Sequence, residues 1–242
     1  MRVVELWRYP VKSMQGERLD STAVDSLGLT GDRSWALLDQ ATGLTLTGRR
    51  VPELLFATGK LIDGKAVVLL PDGTETNDSH RLSRWLKRDV RLTPAADEVA
   101  GTYEIAANAE DEDNSEWIQW TGPLGTFHDS TRIRVSIIGE ETLGNWPVRR
   151  FRPNVVISGQ DENSLVGHQV SAGDDLVLDV VKHIDRCVMV TRPQPGGIER
   201  DSEVLRTINR HRNNMLGVGA LIVRPGSLTV GATLQARLSD EA

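Results

Sequence analysis

The sequence predicts an α+β fold in which β-structure predominates. Short runs of β-branched and apolar residues recur along the chain between turns rich in glycine, proline and aspartate. Only two segments have the spacing of an amphipathic helix, and nothing shows the regular strand–helix alternation of a doubly wound sheet. Many short strands with few helices favour a β-barrel-like domain packed on a second β-rich domain.

The first hundred residues are predicted to form a compact meander with one helix. The helix spans residues 78–89, where apolar residues recur three and four positions apart behind the capping candidates Asp78 and Ser79. Turn residues flank the predicted strand at residues 66–70 on both sides. The predicted strands are residues 3–9, 34–39, 42–47 and 66–70.

Between residues 95 and 115 the apolar content falls and acidic residues accumulate. Such a run cannot bury apolar surface and repels itself, so it favours a solvated connection over a docking site for a basic partner. We therefore expect two domains, residues 1–100 and residues 101–242.

The second half resumes the pattern of short strands. One helix is predicted over residues 201–212, with Asp201 or Ser202 as its cap. A closing hairpin is predicted from residues 218–223 and 228–238, joined by a turn. The other predicted strands are residues 133–138, 155–158, 176–181 and 187–191.

Composition excludes several classes of partner. The formal net charge is −6 and no basic block with interleaved aromatics is present, which argues against nucleic acid. Apolar runs such as residues 66–70 are far too short to span a bilayer, so no membrane association is expected. The start lacks the apolar core of a signal peptide and the chain has one cysteine, so we expect a cytoplasmic protein.

Familiar catalytic motifs are missing from the sequence. There is no GxSxG, GxxxxGK[ST] or HExxH motif. The five histidines lie far apart without the spacing of metal ligands, so a zinc site is not predicted.

Cys187 is the only cysteine, and it opens a short apolar run directly after Arg186. A lone thiol cannot form an internal disulfide, so it serves buried packing, nucleophilic chemistry or ligation of a soft metal. Residues 9–13, 31–33 and 150–154 each place a cation beside a hydrogen-bonding side chain at the end of an apolar run. These groups suit an anionic, phosphate-bearing ligand.

Five segments in register make the chain resemble the MOSC-domain family, in the two-part form with an N-terminal β-barrel segment. This form includes the mitochondrial amidoxime-reducing component and its bacterial relatives. The segments occur in the same order as in the family, and together they span nearly the whole chain. The segments are residues 9–13, 28–33, 152–159, 186–187 and 225–231.

The resemblance implies a pyranopterin molybdenum cofactor (Mo-molybdopterin) as the ligand. It implies that the Cys187 thiolate binds the metal and is the catalytic cysteine, a role that a soft sulfur donor suits. We expect the cofactor contacts to converge from both halves of the chain. They are Lys12, Ser13, Arg33, Asp129, Arg152, Asn154 and Arg186.

The implied function is reduction of an N-hydroxylated or N-oxygenated small molecule. One cysteine cannot hold an iron–sulfur centre, so electrons must come from a separate reductase. One alternative is a carrier that delivers the cofactor, or sulfur as a persulfide on Cys187. Another is a structural or regulatory relic with a buried, metal-free thiol. Residues 190–195 and 216–219 depart from the family pattern and leave the substrate open.

Overall fold

The computed structural model describes residues 1–96, 100–107, 114–159, 161–173 and 175–236. Within these ranges the chain is mainly β-structure, which confirms the predicted fold class. The helices are α1 (Ser79–Leu86), α2 (Glu140–Leu143) and α3 (Ser202–Arg212). The strands are β1 (Arg2–Arg8), β2 (Glu17–Leu19), β3 (Ser21–Asp25), β4 (Gly28–Leu29), β5 (Trp35–Asp39), β6 (Thr58–Ile62), β7 (Lys65–Leu69), β8 (Glu75–Thr76), β9 (Val90–Pro94), β10 (Ala100–Ala106), β11 (Trp117–Leu124), β12 (Val135–Gly139), β13 (Val155–Ser158), β14 (Gln169–Ala172), β15 (Leu176–Asp185), β16 (Met215–Arg224), β17 (Gly226–Thr229) and β18 (Leu234–Ala236).

By its internal contacts the chain divides into two compact units that interleave along the sequence. Unit 1 comprises residues 1–8, 17–30 and 132–242, and unit 2 comprises residues 9–16 and 31–131. The domain boundary expected after residue 100 stays a prediction. Of the helices in the described ranges, none is long and apolar enough to cross a bilayer.

Unit 1 is built on an eight-stranded sheet. The strand order is β18-β14-β15-β16-β12-β13-β1-β2, in which β12 and β13 run parallel while the other pairs are antiparallel. A small sheet of order β17-β3-β4 completes the unit. The core consists of β-branched and leucine side chains on these strands, such as Ile137, Val155 and Val218, none more than 1% exposed. Burial of these side chains is the main force that holds the sheet together.

Unit 2 contains three small antiparallel sheets around its own core. They pair β5 with β9, β10 with β11, and β6 with β7 and β8. Leu82 of α1 is fully buried in this core beside residues such as Val11 and Met14. Because Val11 and Met14 are buried, the Lys12-Ser13 turn between them is held against the core of unit 2.

The helix predictions are confirmed at their N-termini. Asp78 accepts a hydrogen bond from the His80 N–H, and Asp201 accepts one from the Glu203 N–H. Each carboxylate satisfies a backbone donor that the first helical turn leaves unpaired. α3 ends at Arg212, as the sequence predicts, whereas α1 ends earlier because Lys87 turns into the left-handed region.

The predicted strand at residues 187–191 is wrong. Strand β15 ends at Asp185, and Cys187 is the N-cap of a 3₁₀ helix, Val188–Thr191. Within this turn the Thr191 hydroxyl donates to the Val188 carbonyl at 2.8 Å. An apolar run of this length is compatible with a strand or a tight helix, and periodicity alone does not separate them.

Two further predictions need correction. Residues 42–47 form a turn and one bridge rather than a strand, because the Asp39 carboxylate accepts from the N–H groups of Ala41 and Thr42. Residues 100–106 are strand β10 rather than solvated connection, and the acidic residues 108–113 lie outside the described ranges.

The closing hairpin is also wrong. After β16 the chain turns at Pro225, but β17 pairs with β3, and β18 pairs with β14. A Cβ on Gly226 would lie 2.6 Å from the Leu176 nitrogen, so glycine lets the chain pass close to β15 here. A local turn signal predicts that the chain reverses, but it does not select the next partner strand.

Candidate functional site

In unit 2 the buried carboxylate of Asp32 joins two of the predicted motifs. Its Oδ1 accepts from the Tyr9 N–H at 2.7 Å, and the Arg33 N–H donates to the Tyr9 carbonyl at 2.8 Å. The Asp32 side chain is fully buried and accepts a hydrogen bond from the Arg33 guanidinium. The segments around Tyr9 and Arg33 are therefore fixed to one another.

The Arg33 guanidinium is 13% exposed and lies 5.0 Å from the centre of the Tyr9 ring. Burial by itself would lower the pKa of Arg33, but the charge and hydrogen bond of Asp32 outweigh it and raise that pKa. Arg33 therefore stays a cation. His128 adds a third group, because its Nε2 lies 3.9 Å from Asp32 Oδ2.

Lys12 lies in the same unit with its side chain only 3% exposed. Its ammonium donates to the Phe127 carbonyl at 3.0 Å and to Asp129 Oδ1 at 2.5 Å. It also lies 4.2 Å from the centre of the Tyr103 ring, within the range of a cation–π interaction. Asp129 is 83% exposed, so a buried cation is paired with a carboxylate at the surface.

The Tyr103 ring packs against the Lys12 ammonium. Its ring is 1% exposed and stacks on Trp120 at 5.6 Å between ring centres. A Cβ on Gly101 would lie 2.6 Å from the Tyr103 hydroxyl, and one on Gly122 would lie 2.7 Å from the ring. Burial, with the nearby charge of Asp129, raises the pKa of Tyr103. The phenol is therefore neutral at physiological pH.

Ser13 is at the third position of the Val11–Met14 turn, which the Met14 N–H closes by donating to the Val11 carbonyl at 3.2 Å. The φ of Ser13 is +68°, a value for which this turn position favours glycine. Its hydroxyl accepts from the Gly48 N–H at 2.9 Å. Contact of this hydroxyl with a cofactor stays a prediction.

In unit 1 the Asn154 carboxamide is 1% exposed and links three strands. Its Oδ1 accepts from the N–H and hydroxyl of Ser136, and its Nδ2 donates to the Trp7 carbonyl at 3.3 Å. These bonds favour a role in setting the start of β13. The predicted cofactor contact of Asn154 stays a prediction.

Arg186 connects the predicted cysteine segment to the predicted arginine segment. Its Nε donates to the Leu216 carbonyl at 2.8 Å, and its NH1 donates to the carbonyl of Phe151, the residue before Arg152, at 3.1 Å. A Cβ on Gly217 would lie 2.6 Å from Ile138 Cγ1, 2.9 Å from the Ile137 carbonyl oxygen and 3.1 Å from Arg186 NH2, so only a glycine fits between β12 and the guanidinium. Arg186 thus orients the backbone on both sides of the candidate site in unit 1.

Cys187 is partly exposed at the start of a segment that leaves the sheet and returns to it. Arg186, just before this segment, and Asn214, just after it, are joined by two hydrogen bonds. The Asn214 backbone carbonyl accepts from the Arg186 N–H at 2.9 Å, and the Asn214 side chain donates to the Arg186 carbonyl at 2.7 Å. The residue before the thiol is therefore held by two hydrogen bonds.

Arg150 is a second anchor of this segment, and the sequence interpretation did not single it out. It is 7% exposed, and it donates from NH1 to the Val190 carbonyl and from NH2 to the Glu199 carbonyl. Arg150 lies two positions before Arg152 in one motif, and no local signal tells which arginine points into the protein. Tyr103 was missed because its partner Lys12 is distant in sequence, and the sequence indicated Asp32 beside Arg33 but not the contact of Asp32 with Tyr9.

In the described ranges seven non-glycine residues have a positive φ, and they fall into two groups. Asp63, Asn213 and Asn214 are of the types that enter the left-handed region most readily, and Lys87 is the C-cap of α1. The others are predicted cofactor contacts. They are Ser13 (φ 68°), Arg33 (φ 47°) and Arg152 (φ 51°).

Comparison with known proteins gives two family matches. The MOSC N-terminal beta barrel domain matches residues 1–119, and the MOSC domain matches residues 130–235. Mitochondrial amidoxime reducing component 2 of Bos taurus is 23% identical over 95% of this chain and 81% of its own length. Molybdenum cofactor sulfurase of Drosophila grimshawi is 25% identical over 92% of this chain but only 32% of its own length. Among solved structures, the YUAD protein from Bacillus subtilis covers 96% of this chain at 14% identity with a TM-score of 0.47.

Proposed function

We propose that this chain, a member of the MOSC-domain family with an N-terminal MOSC β-barrel domain, binds the molybdenum cofactor and reduces an N-oxygenated small molecule. The amidoxime reducing components align with most of this chain and with most of their own length, which supports the reductase assignment. The sulfurases are about three times longer than their match to this chain, so their whole activity is not assigned to it.

The observation that carries this proposal is the backbone of Ser13, Arg33 and Arg152. A non-glycine residue in the left-handed region costs roughly 1–2 kcal/mol, and such strain concentrates at functional sites. Glycine would remove the cost at each position. That the chain keeps a hydroxyl and two guanidinium groups there supports a use for these side chains beyond folding.

The residues present fit the chemistry of the cofactor. Arg33 keeps its positive charge in unit 2, where Lys12 is paired with Asp129, and Arg152 adds a planar guanidinium in unit 1, which suits a phosphate-bearing ligand. The thiol of Cys187 is partly exposed at the start of a loop rather than packed in a strand, so it is accessible as a soft metal ligand. That the two sets meet around one ligand stays a prediction.

In the proposed mechanism the chain binds, orients and encloses. Cys187 would supply the protein thiolate for the metal, and the guanidinium groups of Arg33 and Arg152 with the Lys12 ammonium would hold the phosphate end. When bound, the cofactor supplies two-electron oxygen-atom transfer. Because the chain has one cysteine, electrons come from a separate reductase rather than from a cluster in this chain.

The test is analysis of protein purified from a molybdenum-replete host, with Cys187→Ser purified in parallel. Molybdenum and pterin are measured per folded chain, and turnover of a simple aromatic amidoxime is measured with a chemical reductant. Bound cofactor with turnover, both lost in the variant, supports the reductase. Exchangeable cofactor without turnover supports the carrier function instead, and absence of both refutes the proposal.

A further inference from the structure

Arg150 is the last residue of the 3₁₀ helix Val148–Arg150, and its guanidinium reaches away from that helix into the segment that follows Cys187. NH1 donates to the Val190 carbonyl at 3.1 Å, and NH2 donates to the Glu199 carbonyl at 2.8 Å. The Val190 N–H in turn donates to the Cys187 carbonyl at 3.2 Å. Two hydrogen bonds in series, through Val190, therefore connect Arg150 to Cys187.

The Arg150 contacts fall on both sides of a tight turn. Within the segment Gln194 and Ile198 form an isolated bridge, and both side chains are buried. Val190 precedes this bridge and Glu199 follows it, so one guanidinium joins the 3₁₀ helix before the turn to the chain that returns after it. The planar fork of an arginine can reach two carbonyls at once, whereas the single ammonium of a lysine cannot hold the same geometry.

We infer that Arg150 is a positioning residue, which fixes the orientation of Cys187 by clamping residues 188–199 at the Val190 and Glu199 carbonyls. Asn214 holds the residue before the thiol, and Arg150 holds the turn after it. The inference rests on the proposed function only in taking Cys187 as the functional thiol. The clamp itself concerns the cofactor-free chain.

The experiment uses the single thiol as its own reporter. Wild type, Arg150→Lys and Arg150→Met are treated with iodoacetamide without cofactor, and the alkylation rate of Cys187 is measured at one pH. Hydrogen exchange of residues 188–199 is followed in the same samples. Arg2→Met is the matched control, because it removes the same charge from an exposed position on β1, in the same unit but outside residues 188–199.

We expect Arg150→Met to alter the alkylation rate and to speed amide exchange in this segment by at least about tenfold, because two charge-assisted hydrogen bonds are lost. Arg150→Lys should give a smaller change, and Arg2→Met should match wild type. Rates within twofold of wild type in both folded Arg150 variants would overturn the inference. Loss of cooperative unfolding in both would assign Arg150 to folding and would overturn it as well.

These readouts separate the inference from the proposed function. A clamp detected in a protein that never binds molybdenum would leave the positioning role standing and would refute the reductase. A protein that binds molybdenum and turns over substrate, but whose residues 188–199 keep wild-type alkylation and exchange rates in the Arg150 variants, would support the reductase and refute the positioning role.

Discussion

Substitution of Arg152 separates the contribution of its backbone from that of its side chain. Its N–H donates to the Val148 carbonyl at 3.2 Å and its φ is +51°, so it closes a 3₁₀ helix where helix ends usually have glycine. The following residue is proline, which further disfavours the helical region. Alanine in this conformation bears about 1 kcal/mol that glycine avoids. We therefore expect Arg152→Gly to unfold at a temperature about 2–4 °C above that of Arg152→Ala.

Cofactor retention should follow the side chain instead. Alanine and glycine both remove the guanidinium fork, which is worth roughly 1.5–3 kcal/mol against a phosphate, or about ten- to a hundredfold in affinity. Lysine keeps the charge without the fork and should restore retention only in part. Molybdenum and pterin per folded chain are measured in all four proteins beside their thermal unfolding.

Two results would refute this reasoning. Equal cofactor content in wild type and the three variants would show that Arg152 only closes the 3₁₀ helix. Equal stability of the glycine and alanine variants would show that the backbone at this position is not strained, and the structural support for the proposed site would fall with it.

Three further predictions concern Cys187, the Lys12–Asp129 pair and Tyr103. Cys187→Ser should abolish cofactor retention while costing only about 1–2 kcal/mol in the free energy of unfolding; full activity in the variant would remove the thiolate role. Asp129→Asn should strengthen binding of inorganic phosphate at low ionic strength, with the gain lost in high salt, because it frees the Lys12 ammonium; unchanged phosphate binding would contradict the pairing. Burial raises the pKa of Tyr103, so the stability contributed by the neutral phenol should be fully present below about pH 10 and should fall as the pH rises further. Tyr103→Phe should lose less free energy of unfolding than wild type above that pH. Equal alkaline losses in the two proteins would show that Tyr103 does not contribute.

The parts of the fold that local chemistry determines were predictable from the sequence. Asp78 and Asp201 mark helix starts because a carboxylate at that position satisfies a nearby N–H whatever the rest of the chain does. Strand β13 was predicted with its bounds, because a buried strand in the middle of a sheet is uniformly apolar.

The pairing of distant segments was not predictable in the same way. Strand β17 joins β3 although a turn precedes it, and β1 pairs with β13 although about 150 residues separate the two strands in sequence. These choices depend on which surfaces are buried together, and no window of the sequence contains that information. The same limit applies to Arg150, whose neighbours Arg149 and Arg152 look alike in sequence but differ in direction and burial.

In unit 2 the sequence indicated the pairing of Arg33 with its neighbour Asp32, but it did not predict the pairing of Lys12 with Asp129. Arg33 is matched by Asp32, whose side chain is fully buried, whereas Lys12 is matched by Asp129, whose side chain is 83% exposed. A buried carboxylate cannot leave its partner without a large desolvation cost to both, but an exposed one can turn into water. An incoming anion would therefore displace Asp129 from Lys12 and leave the Asp32–Arg33 pair in place.

The surroundings of Cys187 also bear on the choice between reductase and carrier. A cysteine that passes sulfur or cofactor to other proteins needs a thiol that can reach them. Here the preceding residue is held by Asn214, and the following turn is held by Arg150. Holding a thiol in one orientation suits a metal ligand, whose geometry must be maintained through each turnover. The anchoring on both sides therefore favours the reductase, and release of Cys187 in Arg150→Met should weaken cofactor retention without removing the sulfur atom itself.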